Sequence, residues 1–524
     1  MLATLGQELS DSPVPIDTID LAWSGLVPIM ILIGGALLIL VVDSLVPRQV
    51  RPGSYALATV VLAAAGMVAS VPLWQQVQDG ERGPFSTAAS AIAVDGFSVF
   101  VTFVILSAVI LAALSFDGWL RREEMDGAEP YVLMLLSASG AVVMASANDL
   151  IVMFLGLEIL SIALYVLAAM HLRKITSQEA GVKYFVLGAF SSAFFLYGIA
   201  LIYGGTGSTN LVSISDYLSA TVLGDSGLVL AGLALLLVGF GFKVAAVPFH
   251  FWAPDVYQGA PTPSVAWMAS GVKVAAFAGL LRVFYLGFGT YRLDWQPVIL
   301  VLAVLTMLVG SVLAVVQTDV KRMLAYSSIN HAGFILVAVQ AATAAGVQAA
   351  LFYLAAYTFM VAGSFGVIAV VSRKGDIGTS LDDYRGLSRD RPVLAFAFAL
   401  LLLAQAGVPL TSGFFAKFYV ITAAIEAGSS TLAIIAMVTA VISSYVYLRI
   451  IVSMYVAGDD APEPRTIPLP AAAGLALVLS VMVTMSVGVF PGTLASLAED
   501  ATPVLVPEPV DPGAVDPSRA PTGP

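Results

Sequence analysis

Four ionisable side chains lie in apolar runs that leave them no water. Glu158 sits in LIVMFLGLEILSIALYVLAAM (150–170) and Lys243 closes GLVLAGLALLLVGFGFK (227–243). Lys273 lies in SVAWMASGVKVAAFAGLLR (264–282) and Lys417 in QAGVPLTSGFFAKFY (405–419). Two more are set less deeply: Lys183 in QEAGVKYFVLGAF (178–190) and His250 in FKVAAVPFHFW (242–252). Carboxylate, amine and imidazole groups in such places can hold and pass protons. Ionisable groups at membrane depth are costly and usually functional. Glu158 is nine residues from Asp149 and thirteen from His171, roughly 14 and 20 Å along a helix axis. Its short side chain reaches neither interface, so it must find a partner, line water or take a proton. An amine taken out of water loses preference for its charged form, which brings its proton within reach of exchange. One such lysine fits a permanent structural ion pair; several in separate spans weaken that reading. Lys183 is nearer a span end, where it can snorkel or pair with Glu179 one helical turn away. His331, in KRMLAYSSINHAGFIL (321–336), fits a hydrogen-bonded core histidine better than a relay.

Two of the lysines sit beside helix breakers. Pro248 follows Lys243 by five residues, and Gly407, Pro409 and Gly413 precede Lys417 in a run, 392–425, too long for one straight crossing. Proline removes a backbone donor and frees a carbonyl upstream, and freed groups inside a membrane need protein or water partners. The two spans are five apart in order and so cross in opposite directions. That spacing fits an inverted repeat of five spans, an imperfect one, because Lys precedes Pro in the first and follows it in the second.

The elements that must carry these residues are transmembrane helices. The chain has 524 residues, 59% hydrophobic and only 11% charged, against about 25% charged in soluble domains; its mean hydropathy is +0.94. With no cysteine, disulfides, cysteine-held iron–sulfur clusters and thiolate metal sites are excluded. The three histidines show no ligand spacing, so no zinc site is expected. The net charge of −11 argues against nucleic acid. The first residues, MLATLGQELSDSPVPIDTID, lack a basic region and predict no cleavable signal peptide. At about 20 apolar residues per crossing, fourteen spans are expected: 23–46, 54–74, 96–117, 130–146, 150–170, 179–204, 227–250, 264–288, 296–316, 323–340, 346–371, 392–427, 431–456 and 468–490. Loops after odd-numbered spans hold fourteen basic residues, while loops after even spans and both termini hold three. This places the odd loops in the cytoplasm and both termini outside. The inner loop 372–392 is expected either to dock a partner or to be solvated. The Pro- and Asp-rich tail 507–524 is expected to be disordered.

KVAAVPFHFWAPDVYQGAPTPS (243–264) closely resembles the most characteristic stretch of subunit N of bacterial respiratory complex I, the proton-pumping NADH–quinone oxidoreductase. GLEILSIALYVLA (156–168), QEAGVKYFVLGAFSSAFFLYG (178–198), KRMLAYSSINHAGF (321–334) and GVPLTSGFFAKFYV (407–420) are similar to it too. The likeness covers roughly 130–425. It implies an all-α polytopic protein whose broken helices are spans 7 and 12. Spans 1–3 would occupy 1–128, two inverted five-helix bundles 129–289 and 290–457, and span 14 with an acidic tail 458–524. It also implies a proton relay of Glu158, Lys243, Lys273 and Lys417, with Lys183 and His250 matching further family positions. A Glu158–Lys243 pair would act as its switch. FMN, iron–sulfur clusters, NADH and quinone would belong to partner subunits, with none in this chain. The partners implied are the other membrane subunits of the complex and the lipid bilayer of a bacterial plasma membrane. A subunit of a multisubunit Na⁺/H⁺ antiporter and a membrane subunit that carries no protons are the alternatives. The DVYQGAP text argues against the former.

Overall fold

A computed structural model describes residues 21–45, 52–80, 82–125, 127–220, 227–456 and 468–504. The acidic stretch 1–20 and the tail 507–524 lie outside them. In chain order the helices are α1 (Trp23–Leu45), α2 (Pro52–Gln78), α3 (Gly96–Glu123), α4 (Glu129–Ser146), α5 (Leu150–Ala169), α6 (Ile175–Thr206) and α7 (Leu211–Ala220). Next come α8 (Gly227–Val244), α9 (Trp252–Gly259), α10 (Thr262–Trp267), α11 (Lys273–Leu281), α12 (Arg292–Val315), α13 (Val320–Gln340) and α14 (Ala344–Val371). The last are α15 (Leu387–Asp390), α16 (Pro392–Ala406), α17 (Ser412–Glu426), α18 (Ser430–Tyr455), α19 (Ala471–Val489) and α20 (Pro491–Asp500). A small antiparallel hairpin, β1 (Phe85–Thr87) and β2 (Ile92–Val94), precedes α3.

Thirteen described helices are long and apolar enough to cross a membrane, one fewer than the sequence count. The difference is the run 392–427, which is divided between α16 and α17. Gly407 ends α16 in the left-handed region (φ 91°), and the chain turns through residues 407–411 before α17. Gly413 lets α17 return close to α16: a Cβ there would stand 1.8 Å from the Ala404 carbonyl oxygen. The run 262–287 is continuous but not uniformly α-helical. Met268–Val272 and Arg282–Gly287 are π-helical and flank α11.

In lipid, helices gain little from the hydrophobic effect on meeting one another, so close packing and polar contacts hold them together. Glycine supplies the close packing. A Cβ on Gly140 of α4 would meet the Leu160 amide nitrogen of α5 at 2.5 Å, and one on Gly198 of α6 would meet the Gly232 carbonyl oxygen of α8 at 2.8 Å. Ser and Trp supply the polar contacts. The Trp267 indole donates to Ser137 Oγ (3.0 Å), and Ser264 Oγ donates to the Leu167 carbonyl (3.1 Å). The stretches Thr262–Gly287 and Val320–Gln340 are buried except at Tyr285 and Arg322 and form the centre of the molecule.

Asp149 and Asp319 cap α5 and α13 in similar fashion, Asp149 accepting the Ile151 and Val152 N–H groups and Asp319 the Arg322 N–H. Each also accepts a threonine hydroxyl, Thr209 (2.6 Å) and Thr379 (2.5 Å). Backbone bonds then repeat around both: Leu150 N–H to Thr209 O and Leu211 N–H to Asn148 O in the first, Val320 N–H to Thr379 O and Leu381 N–H to Thr318 O in the second.

The loop 372–392 is part buried and part exposed: Arg373, Lys374, Arg385 and Arg389 each keep about half of the side chain in solvent. Ser372, Asp376, Tyr384 and Leu387 are buried, and the segment folds back onto the helix ends. Its polar groups are bonded by α3, α10 and α13, which the sequence reading did not anticipate.

Candidate functional site

Lys243 occupies the last turn of α8, beneath the point where the helix stops. The backbone groups released there are taken up by protein. The Trp252 indole donates to the Phe242 carbonyl (2.9 Å), and the Val247 N–H donates to Thr306 Oγ1 (2.9 Å). The amine, 4% exposed, donates to Ser161 Oγ (2.8 Å) and Tyr184 Oη (3.1 Å) and stands 5.2 Å from the Tyr184 ring centre. Tyr184 is itself fixed by stacking on Trp252 at 4.5 Å.

The expected direct pair between Glu158 and Lys243 is not formed. Glu158 accepts from Ser192 Oγ of α6 instead, and among the described residues Lys243 enters no ion pair. Ser161, Ser192 and Lys243 line a cavity of about 10 Å³, room for a single water. Glu158 is half-buried on a face of α5 that exposes Leu155, Ile159 and Ile162.

Lys273 opens α11 after the π-helical turn. Its amine donates to both the carbonyl and the hydroxyl of Ser328 on α13, each at 2.6 Å, and lies 5.8 Å from the Tyr357 ring centre. Lys417, on α17, donates to the Ala406 carbonyl (2.8 Å) at the end of α16 and sits 5.1 Å from the Phe334 ring centre. That carbonyl is available because Gly407 terminates the helix there. Thus Lys243, Lys273 and Lys417 are all buried, and all are held by neutral oxygen atoms.

His331 stands between the last two lysines along the fold. Its Nδ1 bonds Tyr353 Oη (2.6 Å), its Nε2 bonds Tyr447 Oη (3.0 Å), and Tyr447 bonds Ser327 Oγ (2.6 Å). Ser327 adjoins Ser328, the partner of Lys273, while Phe334, one turn beyond His331, faces Lys417. His331 is thus the hydrogen-bonded core histidine read from the sequence, with tyrosine hydroxyls on both ring nitrogens. Sequence reasoning missed Ser161, Tyr184, Ser192, Ser327, Ser328, Tyr353 and Tyr447. A signal existed: Ser161 follows Glu158 by three residues, and Ser327 and Ser328 precede His331 by four and three, which places each set on one helix face.

The other expected site residues are elsewhere. Lys183 pairs with Glu179 (2.7 Å) and with Asp255 (2.9 Å), which also binds Arg322 (2.7 Å). Lys183, Glu179 and Asp255 rim an open cleft of about 530 Å³ that also includes Lys174 and Asp383. Burial alone would raise the Asp255 carboxyl, but bonds from Lys183 and Arg322 hold it below its ordinary range. His250 is buried in the turn after α8; its Nδ1 has no protein partner among the described residues, and its ring lies 4.6 Å from that of Phe251. No group of His, Asp or Glu among the described residues could hold a metal ion.

A wholly buried ion pair lies at the start of α3, away from the three row lysines. Arg282 donates to Asp95 at 2.7 Å with both side chains wholly buried, and its Nε donates to the Ala145 carbonyl (3.0 Å). Asp95 also caps α3 through the Ser98 N–H (2.8 Å).

The stretch 147–443 matches the family described as NADH:quinone oxidoreductase/Mrp antiporter, TM. NADH-quinone oxidoreductase subunit N of Acidothermus cellulolyticus is 43% identical over 519 residues, covering 94% of this chain and 98% of that protein. A chain of respiratory complex I from Thermus thermophilus with bound aureothin has a TM-score of 0.76 at 34% identity, covering 90% of this chain and 99% of that one. A chain of the Mrp complex from Dietzia sp. has a TM-score of 0.78 at 20% identity, covering 92% of this chain and 97% of that one, a likeness of fold alone.

Proposed function

We propose that this chain, which belongs to the NADH:quinone oxidoreductase/Mrp antiporter transmembrane family and within it to the subunit N proteins of NADH-quinone oxidoreductase, moves protons through a row of buried amines. The observation that carries the reading is the nature of the lysine partners. A lysine paired with a buried carboxylate cannot lose its proton without stranding a charge. Lys243, Lys273 and Lys417 are held by hydroxyl and carbonyl oxygens, which accept from an ammonium and tolerate a neutral amine.

Each amine releases its proton to a neighbouring acceptor and regains one from the other side. Glu158, reached through Ser192 and the small cavity, sets the electrostatic field at Lys243. The serine, tyrosine and histidine chain carries the row from Lys273 towards Lys417 in the order Ser328, Ser327, Tyr447, His331, Tyr353. Local sets of hydrogen bonds are joined by water in the working complex. Moving one charge against 100 mV takes about 2.3 kcal/mol, and a hydrogen bond to a charged group is worth about 1.5–3 kcal/mol. Making or breaking one amine contact is therefore of the size the task requires.

The driving redox chemistry belongs to partner subunits, which would carry FMN, iron–sulfur clusters and the NADH and quinone sites. The half-buried Glu158 on its apolar face fits contact with a neighbouring membrane subunit better than contact with lipid. The matching caps of α5 and α13 support two inverted five-helix bundles, 129–289 and 290–457. Arg122, Lys174 and Lys321 meet at Asp376, and Lys374 pairs with Glu124, at one end of the molecule. The basic-residue asymmetry assigns that end to the cytoplasm of a bacterial cell, with both termini outside. Lys183 serves at the rim of the cytoplasmic cleft and His250 on a branch beside the α8 break.

The test is to place Lys243→Ala or Lys417→Ala in the assembled complex. Proton pumping should be abolished, and full pumping by both variants would refute the proposal.

A further inference from the structure

The crossing from Lys273 to Ser328 joins two different helices, α11 and α13, so the relative height of those helices decides whether the amine meets its acceptor. One buried carboxylate holds the starts of both. Asp376, 4% exposed in the loop after α14, receives six donors. Its Oδ1 accepts from Trp119 Nε1 (3.2 Å), an Arg122 guanidinium nitrogen (3.2 Å) and Ser372 Oγ (3.1 Å). Its Oδ2 accepts from the Thr262 N–H (2.9 Å), Thr262 Oγ1 (2.8 Å) and Lys321 Nζ (3.3 Å). Lys174 Nζ donates to its backbone carbonyl (3.3 Å).

Thr262 is the first residue of α10, eleven residues before Lys273, and Lys321 lies in the first turn of α13, seven residues before Ser328. Along helix axes these intervals are roughly 16 and 10 Å. The Lys321 amine also donates to the Ala260 carbonyl (2.8 Å), so the turn that leads into α10 is tied to α13 a second time. A buried helical pair pinned at one end by the same carboxylate cannot slide without breaking charged bonds. Asp376 touches neither amine of the row. Its surroundings also include Glu123, which accepts the Gly375 N–H (2.6 Å) and binds His171 (3.2 Å). The loop is thereby clamped from a second side.

Building on the proton row described above, we infer that Asp376 is a positioning residue for proton transfer from Lys273 to Ser328, setting the register between α10–α11 and α13. Hydrogen-bonded transfer is steep in geometry, and a misplacement of about 1 Å in a reacting pair costs about a hundredfold in rate. A slip of this register therefore acts on pumping before it acts on assembly.

The experiment uses the whole complex in membrane vesicles, carrying Asp376→Asn, Asp376→Ala or Thr262→Val, with Lys273→Ala as the control for the row. Protons moved per NADH oxidised are measured and normalised to assembled complex. The two Asp376 variants should lose about tenfold or more of pumping per complex, and Thr262→Val, which removes one of the six donors, should lose less. A purely structural Asp376 would lower the amount of complex and leave the ratio intact. Wild-type ratios for assembled Asp376 variants overturn the inference. So does failure of the Asp376 variants to assemble while Thr262→Val assembles and pumps normally. If Lys273→Ala itself pumps fully, the proton row is wrong. If it abolishes pumping while the Asp376 variants do not, only the positioning role falls.

Discussion

Removing the hydroxyls around Lys243 is the most informative perturbation of the row. Tyr184→Phe deletes one acceptor at 3.1 Å and keeps the ring under the amine and against Trp252. Ser161→Ala deletes the other at 2.8 Å. A hydrogen bond to a charged group is worth about 1.5–3 kcal/mol; the ring contact under the amine is kept in wild type and variants alike and so cancels in the comparison. The charged state of Lys243 should therefore lose about 2 kcal/mol in each single variant and about twice that in the double. The first figure already matches the roughly 2.3 kcal/mol needed per charge per 100 mV. Vesicles containing assembled complex, assayed for initial proton uptake at zero and at imposed membrane potential, should show a loss that deepens as the potential rises. The double variant should stall at potentials where wild type still pumps. Wild-type rates for the double variant at every potential would refute the idea that these hydroxyls tune the amine.

Tyr447→Phe cuts the links to both Ser327 and His331 and should lower pumping severalfold per assembled complex, measured as dye quenching against NADH oxidation. Lys183→Met removes a rim pair of the cleft, and pumping should stay within about twofold of wild type, since exposed pairs are worth about 0–1 kcal/mol. Arg282→Met strands the buried Asp95 and should cost about 3–5 kcal/mol, seen as less assembled complex on native gels; Arg282→Met with Asp95→Asn should recover much of that loss. Burial alone would raise the Asp376 carboxyl, but Lys321, Arg122, Thr262 and Lys174 hold it well below its ordinary value of 3.8. A carboxylate depressed in this way stabilises the fold fully above that value and less as pH falls below it. Thermal stability of the complex should be flat in this respect from pH 5 to 8 and should lose the Asp376 contribution only below about 4.

The crossing helices were legible because each is an unbroken apolar run, and lipid admits few other shapes for such a run. Lys243, Lys273 and Lys417 stood out for the same reason: three charges in text that otherwise avoids charge. Their partners did not stand out. Ser161, Ser328, Tyr184 and the Ala406 carbonyl are unremarkable in composition, and only helix packing brings them to the amines. The run 392–427 was counted as one crossing with a break expected at Gly407, Pro409 and Gly413, and the chain does divide there into α16 and α17. In loop 372–392 most charges are exposed, as Arg373, Lys374 and Arg385 are. Asp376 is the exception, buried because Arg122, Lys321 and Thr262 arrive from three distant helices. The Glu158–Lys243 pair implied by the resemblance forms no ion pair among the described residues: Glu158 bonds Ser192, and Lys243 bonds Ser161 and Tyr184.

The central claim is that the buried amines must give up their protons and do not merely supply charge. Lys273→Arg tests it most directly, because guanidinium can donate to Ser328 yet is not deprotonated in proteins. If release is required, complexes carrying Lys273→Arg will assemble and fail to pump. Pumping at the wild-type ratio of protons to NADH would contradict the account.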